Sequence, residues 1–331
     1  MEASHGDGQP SAGCASTLLL PKKSPLAAAP FPANRLTTGE WLARMVRDNS
    51  LQGQPKDKTM CEYCAKYGHG NRWYLNPENY SDELLKDKAR QRMVDQIAAW
   101  GVDYYIDRST RQAPFVHVPL FGSLFKAVVD RVTPGRHAGQ VVALEDALAI
   151  VDLARDFVAL PCMCRRLVGG KEVMTCLNFG PIKELTIARK PEEPMEELPA
   201  EEVKARLREF DKQGFVHQVV FAKLPFPIVI CNCDRKYCTS MKVRFLHGID
   251  VAFLKGHGIC VVDHTRCNGC DGRPQCIQMC QFGALRWVPT DEVVVCEPQS
   301  CFGCGLCRQA CPRGAIRMVP RESLAPVADV W

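Results

Sequence analysis

Nineteen cysteines in 331 residues, an odd number gathered into pairs and triplets, constrain this chain more than any other feature. A protein of this length has enough apolar residues, 46% of the total, to build a core without covalent staples. The clustering therefore favours metal ligation over a disulfide framework. The opening residues, MEASHGDGQP, lack both the basic and the apolar segments of a secretory leader, so a reducing cytoplasm is the expected location. No apolar run reaches the ~18 residues of a membrane span. The most hydrophobic helix candidate, residues 142–160, carries Glu145, Asp146, Asp152, Arg155 and Asp156.

Residues 1–35 are rich in Gly, Ser, Pro and Ala without hydrophobic periodicity and read as a flexible tail. Thr37 and Glu40 have capping-box spacing and open an expected helix to about Asp48. A second helix is expected from Ser81, with an apolar stripe of Leu85, Ala89, Met93, Ile97 and Trp100 that Gly101 ends. The 142–160 segment repeats the helical pattern and stops at Pro161, directly before Cys162. A further helix runs from Pro199 to Gly214, followed by the strand-like segments FVHQVVFA and PIVIC. The fold class is thus α+β: a cysteine-containing mixed α and β domain over 36–255, a cysteine-rich unit over 256–321, and a short tail over 322–331.

The cysteine-rich unit repeats internally. QFGALRWVP at 281–289 matches PRGAIRMVP at 312–320, an offset of 31 that implies two halves related by a pseudo-twofold axis. Cys301, Cys304, Cys307 and Cys311, followed by Pro312, form the run CxxCxxCxxxCP. Gly303 and Gly305 permit the tight backbone such a loop needs. The first half, Cys267, Cys270, Cys276 and Cys280, has the same plan with its middle gap stretched by Asp271–Gln275 and with Gln281 where Pro is usual. Gly272 and Pro274 suit a small surface bulge there.

These motifs resemble the bacterial-type two-[4Fe–4S] ferredoxins over about 65 of the 331 residues. The resemblance implies a fourth cysteine that crosses over, so that one cluster takes Cys267, Cys270, Cys276 and Cys311 and the other Cys301, Cys304, Cys307 and Cys280. Structural zinc needs only two CxxC pairs and does not account for two interlocked quartets. Cys260 and Cys296, in the strand-like GICVVD and EVVVCE, read as small buried apolar residues and are left out of the ligand set. Two oxidised clusters with their thiolates, at a net charge of about −2 each, bring the formal +5 to +1 and remove the argument for nucleic acid.

Eight more clustered cysteines precede this unit: Cys61 and Cys64, Cys162 and Cys164, Cys176, and Cys231, Cys233 and Cys238. The segments PCMCRR, TCLNFG and ICNCDRKYC resemble those of ferredoxin-type proteins of anaerobes that carry a CxCR and a CNC segment ahead of a double-cluster module. Two CxC pairs and Cys176 are enough for a third metal site, with iron–sulfur favoured over zinc. Cys61 and Cys64 either complete that site, form a separate one, or act as a redox dithiol. Arg165 and Arg166 are expected to be solvated, and His217 and His247 to be ordinary residues. The expected function is an electron-transfer protein or redox subunit exchanging electrons with protein partners, more than a stand-alone enzyme. The alternatives are an oxidoreductase acting at the N-terminal metal site and an iron–sulfur sensor. No GxGxxG, Walker A loop, radical-type CxxxCxxC or hydrolytic constellation is present.

Overall fold

The computed structural model describes residues 61–132 and 137–331. The expected N-terminal tail and the helix opening at Thr37 lie outside the described residues. From the N-terminal side the helices are α1 (Glu62–Tyr67), α2 (Lys88–Gln112) and α3 (Gly122–Val132). Strand β1 (His137–Val141), α4 (Leu144–Leu153), β2 (Val158–Leu160), α5 (Met163–Leu167) and β3 (Cys176–Asn178) follow. Next come α6 (Ile182–Arg189), β4 (Glu196–Glu197), α7 (Ala200–Lys212), β5 (Val216–Ala222), β6 (Pro227–Cys233) and α8 (Thr239–His247). The cysteine-rich end holds β7 (Phe253–Leu254), β8 (Gly258–Val262), α9 (Gln275–Met279), β9 (Leu285–Val288), β10 (Val293–Cys296), α10 (Leu306–Gln309) and β11 (Ile316–Pro320).

Seven strands form one sheet in the order β4-β2-β3-β6-β5-β1-β7, antiparallel at every pairing except β1 with β7. Helices cover both faces, so the inner strand β5 is buried at every residue rather than alternating. Val219 and Phe221 pack on one side with Ile150, Val203 and Leu207 of α4 and α7. Val220 and Ala222 pack on the other with Ile97 and Ile182 of α2 and α6. This two-fold alternation of direction along an extended strand is what lets one strand serve two cores.

Three expected helix limits are corrected. The segment 142–160 is helical only to Leu153; Ala154 turns to ψ 164° and Asp156 adopts φ 59°, after which Val158–Leu160 is a strand. Cys162 thus follows a strand, not a helix. The helix expected at Ser81 begins at Lys88, capped by the Asp87 carboxylate on the amides of Ala89 and Arg90, while Ser81 caps a short 3-10 turn over Asp82–Lys86. Gly101, at φ 76° and ψ 162°, kinks α2 instead of ending it. The expected helix after Pro199 and the two strand segments after it are found at α7, β5 and β6.

At the cysteine-rich end, β8 pairs with β11 and β9 with β10, both antiparallel. The two sequence repeats give the same succession: a short helix, a cysteine, a glycine at positive φ (Gly283 and Gly314), then a strand. No described helix is long and apolar enough to cross a membrane.

Candidate metal centres

All eighteen described cysteines are free thiols, and most are brought into a few groups. Cys267, Cys270, Cys276 and Cys311 line one open cavity, walled by Val262, Val294 and Ile316. Cys267 and Cys270 flank Gly269, at φ 58°, where a Cβ would lie 1.8 Å from the Trp287 ring. Only glycine lets Trp287 close this side. The stretched gap is exposed at Asp271, Gly272 and Arg273, as a surface bulge should be, and Pro274 turns the chain into α9 with Cys276 in its first turn. Cys311 arrives from the other motif, just after α10.

Amides point at these sulfurs. Val294 donates to Cys267 Sγ at 3.4 Å, and Ala315 donates to Cys311 Sγ at 3.3 Å. The equivalent residue of the first repeat, Ala284, donates to Cys280 Sγ at the same 3.3 Å. Burial pushes the Cys276 thiol up to about 12, a cost that ligation to a cation would offset. Four sulfurs spread around a cavity, with N–H donors behind them, fit a polynuclear iron–sulfur cluster better than a single ion.

Cys301, Cys304 and Cys307 are buried in the loop that Gly303 and Gly305 shape at φ 74° and 84°. A Cβ on Gly303 would meet the Gly258 carbonyl oxygen at 2.2 Å. Cys280, the fourth cysteine of the first motif, packs against the apolar cluster that holds Cys304. Two cysteines that sequence reasoning set aside are here as well. Cys260 Sγ lies 2.9 Å from Cys296 Sγ and 4.0 Å from Cys301 Sγ, and Cys260 also hydrogen-bonds Cys307. Hydrogen bonds from Cys260 and then Cys296 hold the Cys301 thiol down to about 2. They meet only because β8 and β10 pack together, and no spacing along the chain signals it.

The N-terminal cysteines form a third group. Cys162 hydrogen-bonds Cys164 and Cys176, Cys176 bonds Cys231, Cys231 bonds Cys233, and Cys233 bonds Cys238. Cys164 and Cys238, the two ends of this run of contacts, interact only electrostatically, so the six sulfurs form an open ring. The sheet builds it: Cys176 and Cys231 are cross-strand partners on β3 and β6, and Cys231 and Cys233 stand two residues apart on one strand. Gln218, opposite Cys231 on β5, donates to Cys233 Sγ at 3.1 Å and reaches Cys238 Sγ at 3.7 Å. Cys162 is held down to about 2 by hydrogen bonds with Cys164 and Cys176, while the thiols of Cys176, Cys231, Cys233 and Cys238 are raised, first by hydrogen bonding to their neighbours.

Arg165 and Arg166 depart from the expectation of solvated side chains. Arg165 is buried, ion-paired with Asp234 and stacked 4.5 Å from the Tyr237 ring centroid. Arg166 grips Glu193 with two nitrogens at 2.6 and 3.0 Å and Glu172 at 2.9 Å. His217 is buried with Nδ1 2.6 Å from Asn232 Oδ1, and His247 Nδ1 lies 3.1 Å from His117 Nε2. Cys61 and Cys64 join none of the groups above; their partners are each other and His257, whose Nε2 is 3.3 Å from Cys64 Sγ.

Residues 250–315 match the family model of the 4Fe-4S dicluster domain. The chain therefore carries a ferredoxin-type module toward its C-terminal end. Both cysteine motifs of the dicluster module, and Cys260 and Cys296, fall inside the matched segment. No curated protein and no solved structure matches the chain.

The dicluster module is not set apart from the seven-stranded sheet. Cys233, Cys238, Val141 and Val216 share one apolar cluster with Cys304, Leu306, Phe282 and Phe302, and Cys231 and Cys280 pack against it. Gln281, which stands where the motif usually has Pro, accepts from the Arg235 amide at 2.7 Å and donates to the Gly214 carbonyl.

Proposed function

We propose that the protein carries single electrons along three iron–sulfur sites, as an electron-transfer protein or redox subunit of the cytoplasm serving protein donors and acceptors. Two [4Fe–4S] clusters belong to the dicluster module, one on Cys267, Cys270, Cys276 and Cys311 and one on Cys301, Cys304, Cys307 and Cys280, with the halves related by a pseudo-twofold axis. The third site is the ring of Cys162, Cys164, Cys176, Cys231, Cys233 and Cys238. When bound, each cluster supplies a one-electron couple, whose potential hydrogen bonding, charge and exposure tune between roughly −700 and +450 mV.

The observation that carries this reading is the shared apolar core, in which ring cysteines and dicluster cysteines pack on the same side chains. A ring isolated from the module would argue for a separate structural metal. Packing against Cys304 and Cys280 supports electron exchange between the ring and the module. The chain's own residues do the rest: Phe282 and Phe302 keep water from the sulfurs, and the amides of Val294, Ala284 and Ala315 offset negative charge on them.

The test is anaerobic purification of the full chain with iron, acid-labile sulfide and zinc measured together. The reading expects at least eight irons and eight sulfides per chain, more with the ring filled, and a visible absorbance that dithionite bleaches. A preparation from anaerobically grown cells that holds zinc and no iron would overturn it.

A further inference from the structure

Cys61, Cys64 and His257 place three ligand atoms within 4.8 Å of one another, all from buried residues. Their exposures are 5%, 2% and 8%. His257 belongs to the dicluster module and Cys64 lies 193 residues before it. The imidazole is fixed between Tyr74, at 5.7 Å between ring centroids, and Trp331, at 5.0 Å. Gln140, held by Trp73 at 2.5 Å, brings its amide nitrogen 3.4 Å from His257 Nε2. The Cys64 amide also donates to the Cys61 sulfur, and the Trp73 amide to the Cys64 sulfur.

We propose that Cys61, Cys64 and His257 bind a zinc ion that ties the α1 segment to the dicluster module. Tetrahedral zinc, with Zn–S near 2.3 Å and Zn–N near 2.0–2.1 Å, sets its sulfur and nitrogen ligands about 3.6 Å apart. The Cys64–His257 separation of 3.3 Å needs only a few tenths of an ångström to match. Two thiolates and a neutral imidazole around a divalent ion sum to zero charge, as a site this deep requires. Only three ligand atoms, all within 4.8 Å of one another, suit one ion and not a polynuclear core, and mixed sulfur and nitrogen donors select zinc among common divalent metals. The fourth position is left to water or a further ligand. Backbone N–H groups on both sulfurs and a clamped imidazole are the outer contacts that such a site uses to orient its ligands. An ion bridging Cys64 and His257 closes a long loop of chain, so binding stabilises the packing of the two segments.

The test uses the full-length protein, prepared anaerobically, equilibrated with excess Zn²⁺ and freed of loosely held metal. The expected result is one zinc per chain beside the iron, with zinc-edge X-ray absorption showing two sulfur ligands and one imidazole nitrogen. His257→Ala and Cys64→Ser should weaken zinc by more than the roughly 10–100-fold that loss of an outer partner produces, with iron unchanged. Should His257→Ala lose iron as well, His257→Cys decides: zinc retained with three sulfur ligands supports the site, and zinc lost overturns it. Wild-type protein without tightly held zinc, or zinc whose amount and edge spectrum do not change in Cys64→Ser and His257→Ala, overturns it too. Because zinc and iron are counted separately, failure here leaves the electron-transfer reading intact.

Discussion

Phe282 and Phe302 stack with ring centroids 4.4 Å apart and planes 21° from parallel. One follows Cys280 and the other follows Cys301, so each cysteine motif contributes one ring to a common lid. Phe253 and Phe245 extend it, at 5.6 and 5.4 Å from Phe302. The lid belongs to the apolar cluster that also holds Cys304, Cys233 and Cys238.

Phe302→Ala removes a 4%-exposed ring from this lid, and should cost about 3–5 kcal/mol. It should also speed the loss of visible absorbance in air, since water and oxygen gain access to the sulfurs. Anaerobic guanidinium unfolding and the bleaching rate measure the two effects. Phe302→Leu, which keeps the site apolar, should show less of both. Equal bleaching in wild type and Phe302→Ala would show that the lid does not protect a cluster.

Cys311 lines the cavity of Cys267, Cys270 and Cys276, while Cys280 packs against the cluster that holds Cys304. Cys311→Ala should therefore damage the cluster of the first motif, and Cys280→Ala the cluster of the second. Electron paramagnetic resonance of the reduced variants distinguishes the two. A Cys311→Ala protein that keeps the first signal and loses the second would reverse the pairing.

Gln281→Pro restores the usual motif residue and deletes two hydrogen bonds to the sheet domain, from the Arg235 amide and to the Gly214 carbonyl. Stability should fall by about 1–3 kcal/mol with iron content unchanged. An unfolding midpoint equal to wild type would mean that Gln281 does not hold the two parts together.

Gln281 shows where reading the sequence stops. Its departure from the motif is visible in the chain, but the reason lies 46 residues away at Arg235. The dicluster-type module was legible because cysteine spacing within one loop is set by the local backbone. Cys260 and Cys296 were not, because they sit in strands of two different small sheets and meet by packing. His257 carries no local signal at all. The misjudged end of α4 has a simpler cause: Phe157–Leu160 is apolar at every residue, and a continuous apolar run fits a buried helix and a buried strand equally well. The CxC pairs pointed to a metal site, but that Cys238 shares the ring and that Gln218 serves it depend on the β5–β6 register.

That register allows the third site to be tested without dismantling it. The ring packs against Phe282 and Cys304, so cutting the chain near residue 255 would remove part of its core, and point variants of the full chain are the cleaner probe. Changing Cys162 and Cys164 together to Ala removes the thiol at the centre of two hydrogen bonds and its neighbour. Iron should fall by about four per chain and leave about eight, the dicluster content. Gln218→Leu is the finer test, because it deletes the donor that reaches Cys233 and Cys238 while keeping a buried side chain of similar size. An N–H donor to a ligand sulfur favours the more negative, reduced cluster, so its loss should move one potential downward and leave the other two in place. Potentiometric titration followed by electron paramagnetic resonance reads all three. Three unchanged potentials with full iron would show that Gln218 donates to thiols that hold no cluster.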